Sequence, residues 1–280
     1  MQPSLDDLST TDIRDVLTTT EQRLGRRLEQ DNGHYSKWNG TAGFPTDAGT
    51  WVRLAWRREN KLDAQQWTGF EAAAAIEGVP RPRWFGAAVW SDESRGVVWR
   101  ADEMTLVQDG ALSPTGDITT LPKLPESWWT DLQAALGALA SHPTSRVSMS
   151  RQHLTNRIHE VYGDQVDTTV TDWATAHGDV GYANLCGPGF ALLDWESWGL
   201  APAGWDAACL WSASLSVEPL AEKVLTLFED SLATKSGVLS RLLLCANVER
   251  AYRRTGRETP MTKTMAGIAE GLLGKLSVSA

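Results

Sequence analysis

Residues 175–211 read TAHGDVGYANLCGPGFALLDWESWGLAPAGWDAACLW, and their polar anchors decide how the whole chain is read. Asp179 stands in HGD, Asn184 follows five residues on, and Asp194 ten further on, after a short apolar run. PheAlaLeuLeu at 190–193 predicts a short buried strand that ends at Asp194. GlyProGly at 187–189 predicts the turn before it, with 183–186 as the first arm of a hairpin. That pairing brings Asn184 and Asp194 to one end of a ribbon, with Asp179 on the loop leading in. A rigid strand end beside an open loop is a usual place for a metal-binding carboxylate. Two carboxylates and an amide at this spacing suit phosphoryl transfer. One Asp orients or accepts the proton of an attacking hydroxyl, while the Asn and the second Asp hold Mg²⁺ on a nucleotide's phosphates. HGD alone is an ordinary turn; the joint pattern HGD-x4-N-x9-DWE carries the specificity.

HGDVGYAN resembles the catalytic loop of the aminoglycoside phosphotransferase family, the small-molecule relatives of protein kinases. LLDWESWG resembles that family's metal-binding strand, and WDAACLW its downstream helix, which opens with an Asp. The resemblance implies that Asp179 is the catalytic base and that Asn184 and Asp194 are Mg²⁺ ligands. It makes Asp206 a support of the loop, and His177 a structural residue that ties the loop to the core by its ring nitrogens. The chain departs at Gly181, where many members carry a second His. The implied fold is α+β and two-lobed. Residues 1–105 would form an N-terminal helix and a nucleotide-binding lobe with a small antiparallel sheet. Residues 106–280 would form a mainly helical catalytic and substrate-binding lobe.

Within the first lobe, period-2 alternation over 50–57 (TWVRLAWR) places Arg53 and Arg57 among apolar neighbours. An Arg in such a strand needs an anionic partner. The resemblance makes Arg53, or else Arg57, the counterpart of the strand Lys of kinases. It makes Glu71, in the Ala-rich helix expected over 63–77, the partner of that cation. Gly33 to Ser36 would be the nucleotide-covering turn between the first two strands. Two further strands fit 84–90 and 96–101, and backbone groups from Glu103 onward, where the lobes would join, would hydrogen-bond an adenine. The segment 108–126, with three prolines, reads as a linker-like loop. Helices are expected over 5–29, 126–141 (with a cap), 148–162, 204–214, 217–234, 236–255 and 260–276.

A chain of 280 residues suffices for two modest domains with cores. A net charge of −9 disfavours nucleic acid and anionic membranes as partners and favours a cationic substrate. No apolar run reaches the roughly 18 residues of a membrane span. No signal-peptide pattern is visible. The three cysteines show no metal spacing and no disulfide framework, which fits a reducing cytoplasm. Most of the fourteen tryptophans are expected in the core, with Trp195 and Trp198 as candidate walls of a substrate cleft.

The expected activity is transfer of the γ-phosphate of ATP, or of GTP, with Mg²⁺, to a hydroxyl of a small molecule. An aminoglycoside or another amino-bearing antibiotic or metabolite leads. Glu196, Glu229, Asp230 and Glu249 are the acidic residues considered for its ammonium groups, with Glu196 and Trp198 foremost as substrate contacts. The alternative is a non-catalytic kinase-like protein that binds a ligand or partner. A metal-dependent hydrolase, which would want His-rich ligation, is a third reading. Oligomeric state is left open.

Overall fold

The computed structural model describes residues 5–36 and 39–278, which divide into two units. The first comprises residues 1–75 and 81–108; the second comprises 76–80 and 109–280. The chain therefore passes between units three residues beyond the expected boundary. A five-residue strip, 76–80, also belongs to the second unit.

Unit 1 is a five-stranded antiparallel sheet of order β1-β2-β3-β5-β4. Its strands are β1 (His34–Tyr35), β2 (Thr41–Pro45), β3 (Thr50–Arg57), β4 (Trp84–Asp92) and β5 (Val97–Thr105). Alternation in β3 and β5 sends Val52, Leu54, Val97, Trp99 and Ala101 to one face. There they share a core with Phe44 and with Val16 and Leu17 of α1 (Arg14–Leu24). Full burial of such side chains is worth roughly 1.5–3 kcal/mol each. The helix expected over 5–29 is shorter than its apolar spacing suggests, because Gly25 ends it in the left-handed region at φ 63°. The helix expected over 63–77 breaks at Thr68 into α2 (Ala64–Trp67) and α3 (Gly69–Ala73). Asp63 caps α2 by accepting from the N–H groups of Gln65 and Gln66.

Unit 2 is mainly helical, with α4 (Glu126–Ala140), α5 (Arg151–Tyr162), α6 (Trp205–Ser214), α7 (Glu218–Leu227), α8 (Glu229–Leu232), α9 (Lys235–Thr255) and α10 (Pro260–Val278). α9 is framed by Thr234, whose hydroxyl accepts from Gly237 N–H, and by Gly256 at φ 65°. Ser150 caps α5, which therefore starts at Arg151 rather than at 148. α4 has Pro125 at its N-cap position and no side-chain cap, so the expected capping is not made. A two-stranded antiparallel sheet, β6 (Trp173–Ala176) with β7 (Gly199–Pro202), flanks the segment that carries the polar anchors.

The segment 108–126 is more than a linker. Ala111 bridges Cys186 in antiparallel register. Leu112 N–H donates to Leu185 O at 2.8 Å and Ser113 N–H to Tyr182 O at 2.9 Å. On the other side of the hairpin, Leu192 N–H donates to Pro80 O at 2.9 Å. The polar anchors thus sit on a ribbon that is paired on both flanks.

Candidate active site

The ribbon itself is the hairpin read from the sequence. Leu185 bridges Leu192, Cys186 N–H donates to Ala191 O at 2.9 Å, and Leu193 N–H donates to Asn184 O at 2.8 Å. The last bond sets Asn184 across from the residue before Asp194. Helix α4 fixes the turn end. Trp128, 1% exposed, donates its indole N–H to Cys186 O at 2.8 Å and meets Phe190 edge-on at 5.5 Å.

The HGD loop is held from below by Asp206, the second residue of α6. Its carboxylate accepts His177 N–H at 2.7 Å and Gly178 N–H at 2.9 Å. Burial pushes this carboxyl up from its ordinary value, and the two N–H donors oppose that shift. Trp205 adds an indole bond to Gly178 O at 3.1 Å. Gly178 is required twice over. Its φ is 89°, and a Cβ there would stand 2.7 Å from Ser197 O and 2.3 Å from Ser148 Oγ.

His177 is fully buried. Its Nε2 lies 2.8 Å from Leu193 O, and its Nδ1 accepts Asp179 N–H at 3.4 Å. A ring that accepts at Nδ1 donates at Nε2, so the imidazole is neutral; burial also lowers its pKa below the ordinary 6.5. Trp195 packs edge-on against it at 4.9 Å and 85° while donating to Leu192 O at 2.8 Å. The His of HGD and the Trp of DWE thereby lock the two motifs together.

Asp179 is exposed at the loop tip. Asn184 Nδ2 donates to its carbonyl at 2.8 Å and to its Oδ2 at 3.1 Å. The amide nitrogen therefore faces the carboxylate, and Oδ1 is the atom of Asn184 with the chemistry to meet a cation. Asp194 has φ 58°, a left-handed conformation that non-glycine residues adopt at a cost, and its Oδ1 is buried. An amide oxygen and a carboxylate are hard oxygen donors and fit Mg²⁺. Among the described residues no group of three or more His, Cys, Asp or Glu is placed to hold a metal.

Other expected site residues fall elsewhere. Glu103 lies inside β5, paired with Val52 on one side and Gly86 on the other. Its side chain accepts from Arg26 Nε at 2.6 Å and Thr50 Oγ1 at 2.8 Å. Its backbone belongs to the ladder, and the chain leaves that ladder only after Thr105. Gly33 precedes β1, so the first two strands are joined by 36–40 rather than by 33–36. Ser36 follows β1: its N–H donates to Thr41 O at 3.0 Å and its hydroxyl accepts Asn39 N–H at 3.3 Å. Lys37 and Trp38 lie outside the described residues. Glu71 pairs with Arg100 at 3.2 Å, not with the strand cation expected for it. Arg53 stands opposite Asp102 in register, its guanidinium 4.9 Å from the Phe70 ring centre. Arg57, at the end of β3, donates to Trp56 O at 2.8 Å and Asn39 O at 3.3 Å.

Trp198 is 3% exposed, with the Arg146 guanidinium over its ring at 4.7 Å and His142 edge-on at 5.9 Å, which makes it a packing residue rather than a cleft wall. Glu196 is half-buried on the turn after Asp194, and its carbonyl accepts from Arg146 at 3.3 Å. Glu229 and Asp230 are exposed in the first turn of α8, and Glu249 pairs with Arg253 at 2.7 Å. Sequence reasoning missed Arg100, Trp128 and the strip 110–113. The indole of a Trp two residues into a helix carries no motif, and strand register is not written locally.

No protein-family model matches the chain, and no curated protein matches it in sequence. Solved structures do match in architecture. The amicoumacin kinase hAmiN in complex with AMP-PNP, Ca²⁺ and Ami superposes with TM-score 0.54 at 10% identity, covering 96% of this chain and 95% of that one. APH(2″)-IIIa, in complex with GDP and kanamycin, gives 0.55 at 12% identity over 95% and 99%. A thermostable mutant of the aminoglycoside phosphotransferase APH(4)-Ia, in a ternary complex with ADP and hygromycin B, gives 0.53 at 10% over 94% and 97%. The small antiparallel sheet of unit 1 and the helical unit 2 are thus those of the aminoglycoside phosphotransferases and related small-molecule kinases, and this chain has their protein-kinase-like fold.

Proposed function

We propose that this protein transfers the γ-phosphoryl group of ATP or GTP to a hydroxyl of a small molecule. The observation that carries the reading is the clamp of Asn184 on Asp179, on a loop whose two preceding N–H groups are fixed by Asp206. An exposed carboxylate held in one orientation can orient an acceptor hydroxyl and take its proton as the O–P bond forms. Asn184 and Asp194 would hold Mg²⁺, which when bound supplies charge neutralisation on the phosphates. His177 serves the loop's geometry: with both ring nitrogens engaged and the ring neutral, it fits neither a base nor a metal ligand. That argues against a metal-dependent hydrolase. Glu196, two residues past Asp194, is the carboxylate we assign to an ammonium of an amino-bearing acceptor.

The test is Mg²⁺-dependent turnover of ATP and GTP by the full chain across a panel of aminoglycosides, other hydroxylated antibiotics and amino alcohols, with Asp179→Asn as control. Acceptor-stimulated release of nucleoside diphosphate that the control lacks supports the proposal. Mg²⁺-dependent nucleotide binding with no turnover on any acceptor would favour the non-catalytic reading.

A further inference from the structure

Unit 1 carries a charged face that the chemistry above leaves unused. Arg53, Arg100 and Asp102 alternate with the core residues Val52, Leu54, Trp99 and Ala101, so they project from the sheet face opposite α1. Arg100 is 5% exposed and Asp102 1%. Arg100 lies between Ala55 of β3 and Val89 of β4, and the small Ala55 lets the long side chain lie along the sheet. Its Nε donates to the two oxygens of Asp102 at 3.0 and 2.8 Å, and one terminal nitrogen to Oδ1 at 2.8 Å. The same terminal nitrogen reaches Glu71 Oε2 at 3.2 Å. Trp84 Nε1 adds a further donor to Asp102 at 2.9 Å. A planar guanidinium can serve two carboxylates at once, where an ammonium presents one compact charge.

Glu71 sits in α3, a helix of only five residues with no side-chain cap. A helix this short does not hold itself in place. Its neighbour Phe70 carries the Arg53 guanidinium over its ring. The placement of α3 therefore bears on that of Arg53, which the resemblance makes the counterpart of the strand Lys of kinases. We propose that Arg100 is a positioning residue that docks Glu71 and α3 onto the sheet and thereby sets nucleotide affinity. The inference rests on the phosphotransferase reading above.

The experiment is titration of the full chain with AMP-PNP and Mg²⁺ by calorimetry, with melting temperature followed in parallel. Glu71→Gln should weaken AMP-PNP binding about fivefold, the equilibrium equivalent of a partly exposed ion pair. Arg100→Met should weaken it at least as much, Arg100→Lys should recover only part, and Glu71→Gln should add nothing in the Arg100→Met background. Unchanged affinity with a lowered melting temperature would reduce Arg100 to a purely structural residue and overturn the proposal. So would additivity of Glu71→Gln with Arg100→Met, or a full effect of Glu71→Gln that persists beside Arg53→Met. Should Arg100→Met fail to fold, Glu71→Gln and Arg100→Lys decide, and wild-type affinity in both overturns the idea. A wild-type chain that binds no AMP-PNP would sink the phosphotransferase reading itself, and this assignment with it.

Discussion

Replacing Asp206 by Asn keeps the side chain's shape but removes one acceptor. Two N–H groups, of His177 and Gly178, now share a carboxylate at 2.7 and 2.9 Å. An amide offers them one oxygen and turns its own NH₂ toward the other. Each charge-assisted bond contributes roughly 1.5–3 kcal/mol, and an orphaned buried N–H costs about 1–3 kcal/mol. Against this, the buried carboxylate carries a desolvation cost, visible in its raised pKa, that the neutral amide does not. The difference leaves a net loss of about 1–3 kcal/mol. The His177 and Gly178 amides should exchange hydrogen correspondingly faster, and urea unfolding should move to lower denaturant at unchanged slope. Turnover should fall by about 10²-fold, since a misplacement of about 1 Å at the reacting group has that cost. An Asp206→Asn protein as stable as wild type, with the two amides equally protected, would refute the reasoning. Burial cost would then cancel the hydrogen bonds, and the loop would owe its geometry to other contacts.

Four further outcomes are expected. Asp179→Asn should bind nucleotide and lower kcat by about 10²–10⁴-fold, the range for a positioned base, checked in steady-state kinetics. Asp194→Ala should abolish the Mg²⁺ dependence of AMP-PNP binding in a calorimetric titration, because it removes the carboxylate from the ion's protein ligands. Gly178→Ala should destabilise by about 2 kcal/mol or more in urea unfolding, because its φ of 89° and the nearby Ser197 carbonyl both oppose a Cβ. The pH dependence follows from His177, whose folded pKa lies below its unfolded 6.5. Below that value the unfolded chain binds the proton more readily. Stability is therefore intact above about pH 6.5 and lost as pH falls, by up to about 1.4 kcal/mol per unit. His177→Gln should flatten that slope in unfolding measured between pH 7 and 5.

The geometry of the candidate site was legible where it is local. Asp179, Asn184 and Asp194 lie within one hairpin and its lead-in loop, and spacing in sequence fixes spacing in such a unit. Helices α4 and α9 were legible for the same reason, from periodic apolar residues closed by breakers. Illegible were the contacts that depend on strand register. Glu71 meets Arg100, 29 residues away, only because β5 inserts between β3 and β4. The strip 110–113 hid behind three prolines, which mark a loop but do not forbid pairing at residues between them. Trp198 read as a cleft wall because adjacency in sequence to Asp194 says nothing about which way a side chain turns.

The short strip 76–80 limits how this protein can be dissected. It lies between α3 and β4 in the chain, yet it belongs to unit 2, where its Pro80 carbonyl accepts from Leu192 N–H of the ribbon. A fragment beginning at residue 109 would keep every polar anchor and lose that neighbour. Leu192 would then present an open backbone edge beside Leu185 and Ala191, the kind of edge that recruits foreign strands. Halves made by cutting once at 108 should therefore aggregate, or need each other for solubility, and hybrid chains built by swapping units should carry the strip with the C-terminal part.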